Sequence, residues 1–180
     1  VPNSSDDTVT IIDTENSNSD VNINVADSPQ DMIVLNSKIY ITHTGENLLY
    51  IIDTANSNAV STVGMSYIPV GYMGVLGSKV FVSHGGVNPS VTIVDTASGN
   101  STSTVGFPSN PKEYTSVGNK MYISSASSNV YVIDTDNSNA SSSIAVGATT
   151  NGIGSLNSKV YVSASGANSV IIIDTANSNA

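Results

Sequence analysis

The chain has 180 residues, a formal net charge of −9 and a pI near 4.2; its five basic residues are all lysine, and it has no cysteine. Such a surface repels a phosphate backbone and offers it no guanidinium, so nucleic acid is not an expected partner. Disulfides and thiolate metal sites are excluded, no apolar run approaches the ~20 residues of a membrane-spanning helix, and the richness in Ser, Asn, Thr and Gly favours short strands and tight turns over helices.

Residues 1–7, VPNSSDD, are polar turn formers expected to fray, and because the sequence opens on Val1 a processed or truncated chain is expected. TVTIID at 8–13 crowds β-branched residues together as a strand requires, and VNINVA at 21–26 alternates, with Val21, Ile23 and Val25 on one face. A complete repeat follows, with predicted strands a (31–36), b (38–43), c (47–53) and d (59–64). The next repeat places them at 72–77, 79–84, 90–95 and 101–106, and the third at 113–118, 120–125, 129–134 and 142–147. Strands a, b and c recur at 152–157, 159–164 and 169–174.

What organises this order is Ile/Val-Asp-Thr followed by an Asn/Ser-rich turn, with aspartates at Asp13, Asp53, Asp95, Asp134 and Asp174, spaced by 40, 42, 39 and 40 residues. IIDTANSNA occurs at 51–59 and again at 172–180. Four short antiparallel strands per ~40 residues is the arithmetic of a β-propeller blade. The expected fold is therefore all-β: a β-propeller of four-stranded antiparallel blades in about four repeats, open or completed by another chain. It is read as a single repeat domain over 1–180, with a half blade at 8–28, blades at 29–68, 69–109 and 110–148, and an incomplete blade at 149–180. Glycine and serine in strand a (Gly74, Ser116, Gly154, Ser155) suit a crowded inner strand, the Val/Ile/Tyr-rich strands b and c suit the buried middle, and the thinner strand d suits a solvated rim.

KIYITH, KVFVSH, KMYISS and KVYVSA, then Val-x-Val-Ile-Asp-Thr, then Val-Gly at 63–64, 105–106 and 146–147, together resemble the YVTN-type propeller repeats of archaeal and bacterial surface proteins, surface-layer propellers included. The resemblance covers 8–180, although the family's Ser-Pro-Asp-Gly hairpin is shortened here to Asn-Ser-Lys or Gly-Ser/Asn-Lys. It implies a scaffold or interaction module and no reaction. Seventeen predicted strands are one more than four blades need. Either the chain is a piece of a longer propeller, or the surplus strand pairs with another chain as an unpaired edge invites. The expected assembly strands carry Val9 and Ile11 at one end and Val170 and Ile172 at the other, and head-to-tail pairing would propagate a filament or layer.

The aspartates are expected to accept backbone N–H bonds as Asx-turns, with Asn at the fifth position after each tolerating a left-handed conformation. The alternative is calcium, for which Asp134, Asp136 and Ser138 alternate correctly while the glycine and bidentate Glu of a calcium loop are missing. His43 and His84 share a column but lack a third ligand there (Ser125 and Ala164 follow), so they are expected as loop-packing residues. Lys38, Lys79, Lys120 and Lys159 open strand b and are expected to pair with an acid or guard the strand. Sequons stand at Asn3, Asn100 and Asn139 as candidate glycosylation sites, with Asn179 undecided. No nucleophile elbow, P-loop or dinucleotide glycine motif is present, and Ser109-Asn-Pro-Lys112 matches Ser-x-x-Lys by chance. No catalytic or cofactor-binding residue is expected. The expectation is a non-catalytic extracellular or cell-surface scaffold partnered by itself or by other surface proteins and glycans, the alternative being an adhesion module that binds glycans or proteins through its loops.

Overall fold

Alternating β-branched and aromatic residues bounded by Asn, Ser and Gly give antiparallel sheet throughout the computed structural model, which describes residues 1–177. Two units are distinguished, Val1–Gly71 and Tyr72–Ala180.

In the first unit, β1 (Pro2–Asn3), β2 (Thr8–Asp13) and β3 (Ser19–Asn24) form one sheet. A second contains β4 (Pro29–Leu35), β5 (Lys38–His43), β6 (Leu48–Asp53) and β7 (Ala59–Gly64), each paired with the next. The second unit opens within β8 (Pro69–Leu76), which forms a sheet with β9 (Lys79–His84), β10 (Ser90–Asp95) and β11 (Ser101–Gly106). There follow β12 (Pro111–Val117), β13 (Lys120–Ser125), β14 (Asn129–Asp134) and β15 (Ala140–Ala145), and finally β16 (Thr150–Leu156), β17 (Lys159–Ala164) and β18 (Ser169–Asp174). Strands run in chain order in every sheet: the three four-stranded sheets follow the predicted a-b-c-d, the last has a-b-c, and the first has β1 ahead of its strands c and d.

Three local features differ from expectation. The polar N-terminal residues do not fray: Pro2 and Asn3 pair with Val9 and Thr8, and the Asn3 amide donates to the hydroxyls of Thr8 (3.0 Å) and Thr10 (2.7 Å). A polar segment can form an edge strand when its side chains and backbone both find partners. Strands a begin earlier than predicted, at Pro29, Pro69, Pro111 and Thr150, all buried, with register shifts after Pro29, Pro111 and Thr150 where a bulge separates them from the regular ladder. Two of the d strands, β3 and β15, begin earlier than predicted, because their register is set by pairing back from the aspartate: Asp13↔Ser19 and Asp134↔Ala140.

Within each unit the core lies between successive blades. In strand c, the residues two and four before the aspartate face the following blade: Val91 and Ile93 pack with Met121, Ile123, Tyr131 and Ile133, while Val130 and Val132 pack with Val160, Val162 and Ile173. Val9, Ile41 and Ile52 form the equivalent cluster in the first unit. Each such side chain contributes roughly 1.5–3 kcal/mol on full burial. Strands d are exposed except at one inward position. Strands a approach closely, and Gly74 is required there: a Cβ on it would lie 2.7 Å from Tyr114 Cβ.

Candidate interaction surface

The aspartate corner repeats the same construction in four blades. Strand register sets Lys38 opposite Asp53, and its ammonium lies 2.6 Å from Oδ2 while Oδ1 accepts the Ala55 N–H at 3.1 Å. Thr54 then donates both its N–H and its hydroxyl to the Ser37 carbonyl, each at 2.9 Å, which ties the c–d corner to the a–b hairpin. The pairs Lys79–Asp95 (3.1 Å), Lys120–Asp134 (3.8 Å) and Lys159–Asp174 (2.8 Å) repeat it, with Thr96, Thr135 and Thr175 donating to Ser78, Asn119 and Ser158. Hydrogen bonding from lysine holds the Asp53 and Asp95 carboxyls below their ordinary range and, reciprocally, Lys38 and Lys159 above theirs. Asp13 accepts the Glu15 N–H at 3.0 Å. Asn18, Asn58, Asn100 and Asn139 have φ of 58°, 59°, 63° and 59°, the left-handed conformation expected of them; the fifth, Asn179, lies outside the described residues.

These contacts also occupy the calcium candidate. Asp134 Oδ1 accepts the Asp136 N–H at 3.1 Å, its other oxygen faces Lys120, and Asp136 accepts from the Asn119 amide. Ser138 sits in the turn at φ 51°. Among the described residues no group of three or more His, Asp or Glu is placed to hold a metal ion.

His43 and His84 end strands b at the predicted bounds, and each is fully buried. His84 Nε2 lies 2.8 Å from the Thr92 hydroxyl, which continues to Thr104 at 3.2 Å. His43 packs on Tyr50 with ring centroids 4.5 Å apart, and burial pushes its pKa down against the opposing pull of Glu46. Of the sequon asparagines, Asn3 is engaged in β1, Asn139 donates weakly to Ser103 at 3.4 Å, and Asn100 is half-buried at the end of its turn.

The two ends named for assembly differ. Val9 is 0% exposed against Ile41 and Ile52, with Ile11 packed beside it, so both belong to the core of the first unit. Val170 and Ile172 are 62% and 53% exposed, although their equivalents Leu49/Ile51, Val91/Ile93 and Val130/Val132 are at most 3% exposed. Register places Ser163 opposite Val170 and Tyr161 opposite Ile172 on the same face. Tyr161 is half-buried and Ser163 exposed, whereas the equivalents Phe81, Ser83, Tyr122 and Ser124 are buried. The face carries a shallow cavity of about 360 Å³ along Ser163, Asn168, Ser169 and Val170, and among the described residues no strand pairs with the outer edge of β18. Tyr161 and Ser163 went unnamed in the sequence reading, although the alternation of KVYVSA puts them on the Val170 side.

No protein-family model matches the sequence, and no curated protein matches it. Among solved structures, the chain is similar to virginiamycin B lyase from Staphylococcus aureus (12% identity, TM-score 0.76, 97% of this chain and 62% of that one). It is likewise similar to Hsv2 from Kluyveromyces lactis (12%, 0.68, 94% and 59%) and to BamB from Moraxella catarrhalis (13%, 0.57, 79% and 41%). The chain spans less than two thirds of each. At this identity the likeness carries the fold alone: the chain is an all-β protein built of β-propeller blades.

Proposed function

We propose that this chain is a non-catalytic propeller scaffold of the extracellular space or cell surface, which assembles head to tail with further copies of itself through the face bearing Tyr161, Ser163, Val170 and Ile172. The carrying observation is the contrast in exposure: the equivalents Leu49/Ile51, Val91/Ile93 and Val130/Val132 are at most 3% exposed, whereas Val170 and Ile172 stand at 62% and 53%. The occupant is a second copy because the chain already builds this contact repeatedly, strand c of one blade lying on strands b and c of the next. The receiving face of the first blade shows Ile12 at 48%, although its equivalents Ile52, Val94, Ile133 and Ile173 are at most 2% exposed. Unlike faces of two copies give a heterologous contact, which propagates as a filament or layer unless it closes. The resemblance of the strand motifs to surface-protein propeller repeats and the lysine-poor polar composition support the extracellular reading. Negative-stain electron microscopy of the purified chain is expected to show rows or sheets of particles at high concentration; isolated particles at every concentration overturn the proposal.

A further inference from the structure

One junction between blades departs from the pattern of the others. Tyr131 on β14 stands opposite Ser143 on β15, and Ile133 opposite Ser141, so both serines share the tyrosine's face. Phe107, which follows β11 of the preceding blade, stacks on Tyr131 with ring centroids 4.2 Å apart and planes 13° from parallel. Together with Pro108 and Asn129 these residues line a cavity of about 220 Å³ inside the second unit. The column of Phe107 holds Val25, Met65 and Val146 elsewhere, making the same backbone bond to the preceding loop. The column of Tyr131 holds Tyr50 and Thr92 in the two preceding blades, whose hydroxyls bond to Glu46 (3.3 Å) and to His84 and Thr104 respectively, whereas the Tyr131 hydroxyl is buried and has no hydrogen-bond partner among the described residues. Tyr50 also has an aromatic neighbour in His43, but its hydroxyl is bonded; the stacked phenyl together with an unmet buried hydroxyl at Tyr131 marks a site with a use other than folding.

We infer that this cavity binds a neutral monosaccharide unit. No Asp, Glu, Lys or His side chain is among the lining residues, in a chain of net charge −9, so the ligand is uncharged. The volume lies below the roughly 300–1,000 Å³ of sites for drug-sized ligands and suits one saturated ring. Phe107 and Pro108 offer an apolar wall to the C–H groups of such a ring, while the serine hydroxyls and the Asn129 amide offer donors and acceptors to its hydroxyls. The site is separate from the assembly face and does not depend on assembly.

The test is saturation-transfer NMR of the full chain with glucose, galactose, mannose and N-acetylglucosamine, with glucuronate as a charged control. At least one neutral sugar is expected to give a saturable signal that weakens about tenfold or more in Phe107→Leu and in Ser143→Ala and is unchanged in Val170→Ser. Ser143 is exposed, so its truncation decides the matter if Phe107→Leu unfolds. No saturable signal from any neutral sugar, equal binding of glucuronate, or binding untouched by Ser143→Ala in a folded protein overturns the inference.

Discussion

Lys79 and Asp95 face each other across β9 and β10 with the ammonium 3.1 Å from Oδ2, while the second oxygen of the same carboxylate accepts the Ala97 N–H. One side chain thus ends strand c, opens the following turn and pins strand b. Asp95→Asn keeps a turn acceptor and loses the charge pair, whereas Asp95→Ala loses both. The melting temperature, followed by circular dichroism, is therefore expected to fall more for Ala than for Asn; equal falls would leave the turn bond without effect. Because pairing with Lys79 holds the Asp95 carboxyl below its ordinary 3.8, its contribution is complete above that pH and is lost as pH falls through the lowered value.

Thr96 presents two donors to one carbonyl, its N–H at 2.9 Å and its hydroxyl at 2.8 Å from Ser78 O. Thr96→Val retains the first bond, the shape and the β preference. Urea unfolding is expected to show a loss of about 1 kcal/mol, and no loss would show the hydroxyl to be redundant.

Gly74 and Gly154 are both strand-a glycines, but only the first is crowded by its neighbour. A Cβ at Gly74 would meet Tyr114 Cβ and Cγ at 2.7 Å, while one at Gly154 meets nothing within 4 Å. Gly74→Ala is expected to cost roughly 1–3 kcal/mol by overpacking and Gly154→Ala to stay within about 0.5 kcal/mol, both read from denaturant midpoints. Equal effects would contradict the close approach of the inner strands.

Buried against Tyr50, the His43 imidazole is held below its ordinary 6.5, with Glu46 and Asp7 as the opposing acids. A depressed histidine binds fewer protons folded than unfolded, so stability is complete above 6.5 and declines as pH falls towards the folded value. The His43 ring resonance is expected to titrate with a midpoint below 6.5. His43→Leu is expected to flatten the stability profile between about pH 7 and 5. A midpoint at or above 6.5 contradicts the effect of burial.

The blades were legible because apolar alternation and turn chemistry are local. Lys-hydrophobic-Tyr-Val and Ile-Asp-Thr each state which strand they form and where it ends, and the lysine–aspartate pairing follows from antiparallel register. Burial was not legible, since it depends on what packs against a strand. Val9 and Val170 occupy the same column, four residues before an aspartate, yet one is 0% and the other 62% exposed. The same limit hid the burial of His43 and His84, polar residues whose surroundings come from other strands. β1 was missed because it is held by the Asn3 amide donating to threonine hydroxyls and by backbone pairing with β2, which leave no apolar signal.

Sedimentation velocity of the chain and of the Val170→Ser/Ile172→Ser double variant over a range of concentrations tests the assembly proposal most directly. The wild type is predicted to shift from 18.5 kDa to larger species as concentration rises, and the variant, altered only at exposed positions, to stay folded at 18.5 kDa. A wild type that remains at 18.5 kDa throughout, or a variant that assembles equally well, would contradict it.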